Sequence, residues 1–193
     1  MRVFDFDNTL YDGESMVDFF HFMVEKKEEL KKYKSLVNFF LNLYNHNMLP
    51  MNLVRKCIDK YKGELNYSTK NLDKYVDEFW ELHRDKIMKD MVKKVKKDDV
   101  IITASLDFLL RPIMKELPTK NIICTEVDIE NKKVDCVCYK ENKVKKYREK
   151  YKDIPIDELY TDSYADKPLM QISKKVYLID KKTKEIKVIK DEK

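Results

Sequence analysis

The chain begins with a short apolar segment that leads directly into two carboxylates. In the run Val3–Leu10 (VFDFDNTL), Asp5 and Asp7 stand two residues apart. Residues at that spacing in a β-strand point to the same face, so the two carboxylates start on one side of the chain. Carboxylates this close repel each other unless a cation lies between them. The run therefore predicts a strand end that holds Mg²⁺, which prefers a few carboxylate oxygens together with water and phosphate oxygens.

Other ion-binding and phosphate-binding loops were weighed against this interpretation. A strand followed by an Asx-rich turn without an ion is the remaining alternative for the first segment. An EF-hand loop that starts at Asp5 is excluded, because Leu10 stands where that loop needs Gly and Met16 stands where it needs Glu. Only two glycines occur among 193 residues, which excludes the glycine-rich phosphate loops of the Walker and dinucleotide-binding types.

The composition is that of a folded domain with no nucleic-acid partner. Hydrophobic residues make up 43% and aromatic residues 11% of the chain, which argues against disorder although 39% of the residues are charged. The length allows one domain, or one core with an insertion. The net charge of +5 comes from 40 Lys and Arg interleaved with 35 Asp and Glu, without a zinc-finger or RNP pattern. We interpret the lysine-rich stretches as solvated faces whose positive field helps to attract a small phosphorylated metabolite.

We expect a cytoplasmic protein that does not enter a membrane. No apolar run reaches the roughly 18 residues needed to cross a bilayer. The N-terminus enters the carboxylate motif by residue 5 and shows no signal peptide. The four cysteines are interpreted as reduced structural thiols, because a single C-x-C pair is weak evidence for zinc. They are Cys57, Cys124, Cys136 and Cys138. The oligomeric state stays open.

Helix spacing dominates the chain between Gly13 and Lys97. Apolar residues recur there at intervals of three and four residues, with breaks near residues 32–35, 46–50 and 63–68. Stripes of this kind predict the core of a helical bundle. The four stripes lie within residues 17–24, 36–43, 53–61 and 72–83.

After Lys97 the pattern changes to strands that alternate with helices. This alternation predicts an α/β fold in which helices cover both faces of a parallel sheet. Asn131-Lys132, between two of the strands, predicts a small β-hairpin beside that sheet. The predicted strands are Val100–Thr103, Asn121–Ile129, Val134–Tyr139, Leu159–Tyr160, Val176–Ile179 and Ile186–Ile189, and the predicted helices are Asp107–Glu116 and Val144–Lys152.

Four segments of the chain resemble, in order, the motifs of the haloacid dehalogenase-like (HAD) hydrolases. Asp5–Ser15 (DFDNTLYDGES) is similar to motif I, and Val100–Ser105, an apolar strand that ends in hydroxyls, is similar to motif II. Lys143 resembles the lysine of motif III. Leu159–Asp166, with its DxxxD pattern, resembles motif IV. Together the four segments span most of the chain.

The resemblance implies a Rossmann-like core with an inserted helical cap. The core would comprise residues 1–13 and 96–193, and the cap would comprise residues 14–95, directly after motif I. A cap in this position is similar to that of subfamily IB, which contains phosphoserine phosphatase. Open α/β sheets bind ligands outside the carboxyl ends of their strands, and all four motifs map to those ends.

The resemblance also implies roles for the acidic residues. Asp5 matches the nucleophile that forms an aspartyl-phosphate, and Asp7 matches the general acid that protonates the leaving alcohol and then activates water. The side chains of Asp5 and Asp162 and the backbone carbonyl of Asp7 match the ligands of Mg²⁺, the implied cofactor. Asp166 matches the second acid of motif IV, and Ser163 is a supporting neighbour.

Motifs II and III imply the phosphate-binding residues. Thr103 matches the hydroxyl that hydrogen-bonds a phosphoryl oxygen, with Ala104 beside it, and Ser105 is the alternative hydroxyl. Lys143 would neutralise Asp5 and the transferring phosphoryl group.

Two features of the motifs leave alternatives open. Lys140 and Lys145 are close enough in sequence to take the place of Lys143. Thr161 stands where motif IV usually has Gly before its first Asp, which changes the turn but leaves the Asp pair intact.

The predicted function is that of a Mg²⁺-dependent phosphatase for a small phosphomonoester. Transfer of the phosphoryl group to an acceptor other than water uses the same residues and is the first alternative. A family member that binds a phosphorylated ligand without turnover is the second.

The substrate is predicted from four residues around the motifs. Glu14 stands where phosphoserine phosphatase carries an acid that recognises the substrate amine, and Arg55 is placed to contact a substrate carboxylate. Ala104 and Ser105, however, stand where that enzyme has two glycines, and their side chains narrow the space beside the phosphate. We therefore expect phosphoserine to be a poor substrate.

Overall fold

The computed structural model describes residues 1–45, 69–131, 133–134 and 136–192. These residues form one six-stranded sheet in the order β3-β2-β1-β4-β5-β6. The strands are β1 Arg2–Phe4, β2 Val100–Leu106, β3 Ile122–Thr125, β4 Ile156–Thr161, β5 Ser173–Ile179 and β6 Ile186–Asp191.

Strand β1 lies in the middle of the sheet and is parallel to both of its neighbours. Val3 pairs with Val100 of β2 on one side and with Leu159 of β4 on the other. Strands β3 and β5 continue the parallel pairing outward, and only β6 is antiparallel, at the edge beside β5. The carboxyl ends of β1, β2 and β4 therefore meet at one edge of the sheet, where residues that follow these strands are brought together.

Helices cover both faces of the sheet, as the alternation of strands and helices predicts. Their bounds are α1 Ser15–Lys26, α2 Lys34–Asn45, α3 Thr69–His83, α4 Lys89–Val92, α5 Asp107–Met114, α6 Glu141–Tyr151 and α7 Lys167–Gln171, with 3₁₀ turns at Glu28–Tyr33, Arg84–Lys86 and Tyr164–Asp166. No helix in these described ranges is long and apolar enough to cross a bilayer. The mostly parallel sheet with helices on both faces confirms the predicted α/β, Rossmann-like fold.

Successive residues of the central strands pack into two different cores. Phe4 of β1 lies in the core formed with α1, α3 and α5, whereas its neighbour Val3 lies in the core formed with α6 and α7. On the first face, Phe4, Tyr160 and Tyr177 stack across three adjacent strands with ring centroids 4.4 Å apart at each step. Because side chains alternate across a strand, each apolar run of the sequence contributes to both cores.

The helices between β1 and β2 share a core with the sheet. Phe19 of α1 packs edge-on against Phe79 of α3, at 5.4 Å, and against Phe108 of α5, at 6.2 Å. Trp80 of α3 is fully buried, and its Nε1 donates to the carbonyl oxygen of Leu109 at 2.6 Å. Burial of large side chains of this kind stabilises the fold by about 1.5–3 kcal/mol each. The division into a core and a separate cap stays a prediction.

The breaks between the predicted cap helices lie only partly within the described residues. The break predicted at residues 32–35 coincides with the end of a 3₁₀ turn at Tyr33 and the start of α2 at Lys34. The stripe at residues 53–61 and the other two breaks lie outside the described residues.

The predicted hairpin around Asn131 is smaller than expected. Asp128 and Lys133 exchange two backbone hydrogen bonds of 2.9 Å and form a single antiparallel bridge. Strand β3 ends at Thr125, and the described residues among 134–139 form no strand. The backbone N–H of Cys138 donates to the hydroxyl of Thr125 at 3.0 Å, so a side chain takes the place of a strand partner.

The cysteines in the described part of the chain are free thiols. They are Cys124, Cys136 and Cys138. Burial raises the pKa of Cys138 to about 12 and that of Cys124 to about 11, so both thiols stay protonated at neutral pH. Cys57 lies outside the described residues.

Candidate active site

Asp5 follows β1 and lies buried at the carboxyl edge of the sheet. Its backbone N–H donates to the carbonyl oxygen of Tyr160 at 2.8 Å, which continues the pairing of β1 with β4 by one residue. One side-chain oxygen accepts from the N–H of Phe6 at 2.9 Å and from Nζ of Lys143 at 3.0 Å. Burial raises the pKa of Asp5 well above its ordinary value, and nearby carboxylates, Asp166 foremost, raise it further against the opposing effect of Lys143.

Lys143, in the first turn of α6, lies between two carboxylates. Its Nζ is 3.0 Å from Asp5 and 2.8 Å from Asp166, and its side chain is only 3% exposed. Burial opposes the charge of this ammonium, but Asp166 and Asp5 together raise its pKa above the ordinary value. Of the alternative lysines, Lys145 points to solvent and lies 3.9 Å from Glu149. The structure thus brings Lys143, and not Lys145, to Asp5.

Asp7 is held by hydroxyl-bearing residues from two other elements. One of its oxygens accepts from the backbone N–H of Ser15 at 2.7 Å, and the other accepts from the hydroxyl of Ser105 at 2.7 Å. The two hydroxyls also lie 2.7 Å from each other. Burial raises the pKa of Asp7, and the hydrogen bonds from Ser15 and Ser105 oppose that rise. A carboxylate held in this way is oriented for proton transfer.

Motif II is an ordered strand end, in which the hydroxyls have different partners. Thr103 is fully buried in β2, and its hydroxyl oxygen accepts from the N–H of Ser105 at 3.1 Å. The carbonyl oxygen of Ala104 accepts from the hydroxyl of Thr125 at 2.7 Å. Because the hydroxyl of Ser105 is engaged by Asp7, Thr103 is the better placed of the two predicted hydroxyls for a phosphoryl oxygen.

Thr161, the departure from the usual motif IV, contributes to the site. It is the last residue of β4, and its hydroxyl donates to Asp166 at 2.9 Å. The N–H of Ser163 donates to the same hydroxyl at 3.2 Å, and the hydroxyl of Ser163 accepts from the N–H of Ala165 at 3.1 Å. The side chain of Thr161 therefore orients the acid that pairs with Lys143, a contact that Gly cannot make.

Asp162 forms the other side of the site. Its side chain is 3% exposed, and one oxygen lies 3.1 Å from Nζ of Lys181, in the turn after β5. Burial raises the pKa of Asp162, whereas Lys181 lowers it. Lys181 also lies 3.3 Å from Glu14, which accepts a 2.8 Å hydrogen bond from the side-chain amide of Asn8. Burial, with the charge of Asp7, raises the pKa of Glu14 to about 7.

The loop that carries Asn8 and Glu14 has a specific backbone geometry. Asn8 has a φ of 54°, in the left-handed region that Asn tolerates better than most residues, and its N–H donates to the carbonyl oxygen of Gly13 at 3.0 Å. Gly13 has a φ of 144°, and a Cβ there would lie 2.9 Å from a carboxylate oxygen of Asp18. One of the two glycines of the chain thus permits the turn into α1.

The site fits Mg²⁺ through few protein ligands. Among the described residues, no group of three or more His, Cys, Asp or Glu side chains is arranged as a metal site. Mg²⁺ needs fewer, because it keeps several waters and uses one or two carboxylates with substrate phosphate. Asp5 and Asp162, whose charges raise each other's pKa or that of their neighbours, are the side chains that could hold it, with the carbonyl of Asp7.

The predicted site residues are brought together except one. Seven of them line the carboxyl edge, and Ser163 caps the 3₁₀ turn beside it; Arg55 lies outside the described residues. Sequence reasoning missed Ser15, Asn8 and Lys181. Ser15 and Asn8 lie within or beside motif I and could have been found as polar residues in a buried segment. Lys181 carries no such signal, because it is one of many lysines and lies far from the motifs.

A parallel α/β sheet that gathers carboxylates and a buried lysine at one edge defines an enzyme whose site lies at the carboxyl ends of its strands. The profile of the haloacid dehalogenase-like hydrolases matches residues 3–171. The match covers most of the chain, and the protein therefore belongs to this family and is a hydrolase. The finer assignment to subfamily IB stays a prediction.

Similar solved structures share the fold at low sequence identity. A protein of unknown function from Bordetella pertussis Tohama I has a TM-score of 0.69 and 18% identity, over 89% of this chain and 85% of that one. A phosphoserine phosphohydrolase-like protein from Francisella tularensis subsp. tularensis SCHU S4 has a TM-score of 0.65 and 19% identity, over 93% and 88%. DsGPDH of Dunaliella salina has a TM-score of 0.59 and 17% identity, over 90% of this chain but 30% of that one. No curated protein sequence matches the chain.

Proposed function

We propose that the protein is a Mg²⁺-dependent phosphatase that hydrolyses a small phosphomonoester through an aspartyl-phosphate on Asp5. The observation that carries the proposal is the arrangement of Asp5, in contact with a buried lysine, two residues before a second oriented carboxylate. The lysine lowers the cost of bringing a phosphate dianion to a carboxylate nucleophile. Membership of a hydrolase family supports the same reaction class.

In the first step, an oxygen of Asp5 attacks phosphorus and the bond from phosphorus to the alcohol oxygen breaks. Asp7 gives its proton to the departing alkoxide, so that the alcohol leaves neutral. The raised pKa of Asp7 supports this role, because it favours the protonated form that an acid catalyst needs. In the second step, Asp7 takes a proton from water as the water attacks phosphorus, and the bond between phosphorus and Asp5 breaks to release phosphate.

Other residues bind the phosphoryl group and the metal. Lys143 would neutralise the phosphoryl oxygens together with Asp5, and the hydroxyl of Thr103 would hydrogen-bond one of them beside Ala104. Asp5, Asp162 and the carbonyl of Asp7 would hold Mg²⁺. When bound, Mg²⁺ supplies positive charge that offsets the repulsion between carboxylates and phosphate.

The proposed substrate is small because helices stand between motifs I and II. Helices α1 and α3 share a core with the sheet, so they restrict access to the carboxyl edge from that side. A cap over the site would exclude water and favour small phosphorylated alcohols over macromolecules. A cytoplasmic location and the absence of nucleic-acid and membrane partners stay predictions.

The experiment that tests the proposal compares Asp5→Asn with wild type. Hydrolysis of an aryl phosphate with Mg²⁺ should be lost in Asp5→Asn and unchanged in Asp153→Asn, a matched change at an exposed aspartate. Acid quenching of the wild type during turnover should trap phosphate on the peptide that contains Asp5, detected by mass spectrometry. Near wild-type turnover by Asp5→Asn would rule out the covalent mechanism. Binding of phosphate without turnover by the wild type would instead favour the non-catalytic alternative.

A further inference from the structure

The turn between β5 and β6 is rigid and lies at the same edge of the sheet as the site. The backbone N–H groups of Lys182 and Thr183 both donate to one oxygen of Asp180, at 2.8 Å each. The N–H of Asp180 donates to the carbonyl oxygen of Glu185 at 2.9 Å, which closes the turn. These hydrogen bonds lower the pKa of Asp180 and fix the shape of the turn. Side chains of this turn are therefore held close to motif I.

Two lysines of the turn contact acids of the site region. Nζ of Lys184 lies 2.6 Å from Asp12, and Nζ of Lys181 lies 3.1 Å from Asp162 and 3.3 Å from Glu14. Lys184 anchors the turn to the motif I loop. Lys181 is the one that reaches into the site.

The contact of Lys181 with Asp162 has a consequence for the metal. The oxygen that accepts from Lys181 belongs to a carboxylate that would bind Mg²⁺ in the proposed function. Two cations on one carboxylate repel each other strongly at distances of a few ångströms. Glu14 offers the ammonium a second carboxylate, which is held in place by Asn8 at 2.8 Å.

We propose that Lys181 is a positioning residue of the metal site that competes with Mg²⁺ for Asp162 and moves to Glu14 when Mg²⁺ binds. Lys181 thereby lowers the Mg²⁺ affinity of the site, and Glu14 limits this loss by accepting the displaced ammonium. The inference rests on the proposed function, since it takes Asp162 as a metal ligand. It assigns Glu14 to the lysine of the chain itself and not to a substrate amine.

The test measures binding of Mg²⁺ directly, by isothermal titration calorimetry, without substrate. Lys181→Met should bind Mg²⁺ about tenfold more tightly than wild type, because one positive charge beside the ligand is lost. Lys182→Met removes the same charge from the same turn and should leave the affinity unchanged, because its side chain is exposed and takes no part in the site. Lys181→Arg, which keeps the charge, should stay close to wild type.

A double-mutant cycle with Glu14→Gln tests the proposed movement. In the wild-type background, Glu14→Gln should weaken Mg²⁺ binding, because Lys181 loses its second carboxylate and stays on Asp162. In the Lys181→Met background the same change should have a clearly smaller effect. Additive effects in this cycle would overturn the movement of Lys181 to Glu14.

The outcomes also separate this inference from the proposed function. Equal Mg²⁺ affinities of wild type and Lys181→Met, with binding abolished in Asp162→Ala, would overturn the role of Lys181 and leave the metal site intact. Full Mg²⁺ binding in Asp162→Ala would overturn the metal site of the proposed function, and with it the competition. Circular dichroism of each variant shows whether it is folded, and the exposed position of Lys181 on a turn makes its substitution structurally mild.

Discussion

Two lysines of the site each lie between two carboxylates, but in very different surroundings. Lys143 lies between Asp5 and Asp166 and is 3% exposed. Lys181 lies between Asp162 and Glu14 and is 39% exposed. One side chain comes from the first turn of a helix packed on the sheet, and the other comes from a turn at the edge.

The difference shows how burial divides the work of similar ion pairs. Removing one partner of a buried pair leaves an uncompensated charge and costs about 3–5 kcal/mol. An exposed pair contributes about 0–1 kcal/mol, because water screens it and its side chains stay mobile. The buried lysine is thus tied to the fold and to the phosphoryl group, whereas the exposed lysine can exchange partners at little cost.

The largest effect is expected for Lys143→Met. Turnover of an aryl phosphate should fall by about 10²–10³-fold, because the cation that stabilises the phosphoryl charge is lost. The free energy of unfolding from urea titration should fall by about 3–5 kcal/mol at neutral pH, since Asp5 and Asp166 stay buried without a partner. Lys145→Met, an exposed change on the same helix, is the control. Similar results for both variants would remove the distinction between the two lysines.

Removal of the metal should also silence the enzyme. Chelation with EDTA should abolish turnover of the aryl phosphate, and added Mg²⁺ should restore it, because the carboxylates and the phosphate need an offsetting charge. Asp162→Ala should raise the Mg²⁺ concentration for half-maximal activity sharply or abolish activity. Full turnover in EDTA would show that lysines alone neutralise the phosphate, contrary to the assignment of Asp162.

A smaller effect is expected on substrate preference. The kcat/KM for phosphoserine should be about tenfold or more below that of the best phosphorylated alcohol in a metabolite panel. The side chain of Ser105 is held by Asp7 in the space beside the phosphate, and Glu14 is already paired with Lys181. Phosphoserine well ahead of all other compounds would contradict both reasons.

The smallest effect is expected for the stability of Lys181→Met. Its free energy of unfolding, measured by urea titration without Mg²⁺, should stay within about 1 kcal/mol of wild type, as for other exposed ion pairs. Lys182→Met should behave alike. A loss as large as that of Lys143→Met would mean that the turn after β5 is part of the folding core.

The sequence by itself determined the fold class and the acids of the site. Periodicity separates the helical insertion from the strand–helix alternation, and the confirmed parallel sheet follows from that alternation because such strands need helical crossovers. Asp5 and Asp7 could be singled out because a buried strand that ends in paired acids is unusual. These signals are local, within a few residues of one another.

Tertiary structure decided which partners the acids have. Ser105 meets Asp7 across 98 residues, Lys143 meets Asp5 across 138, and Lys181 meets Glu14 across 167. The predicted strand 134–139 failed for a related reason, because the distant hydroxyl of Thr125 takes the N–H of Cys138. In a chain with 40 Lys and Arg, no local pattern distinguishes a lysine that faces solvent from one that a folded turn directs onto a carboxylate. That distinction depends on burial and on contacts between segments far apart in sequence.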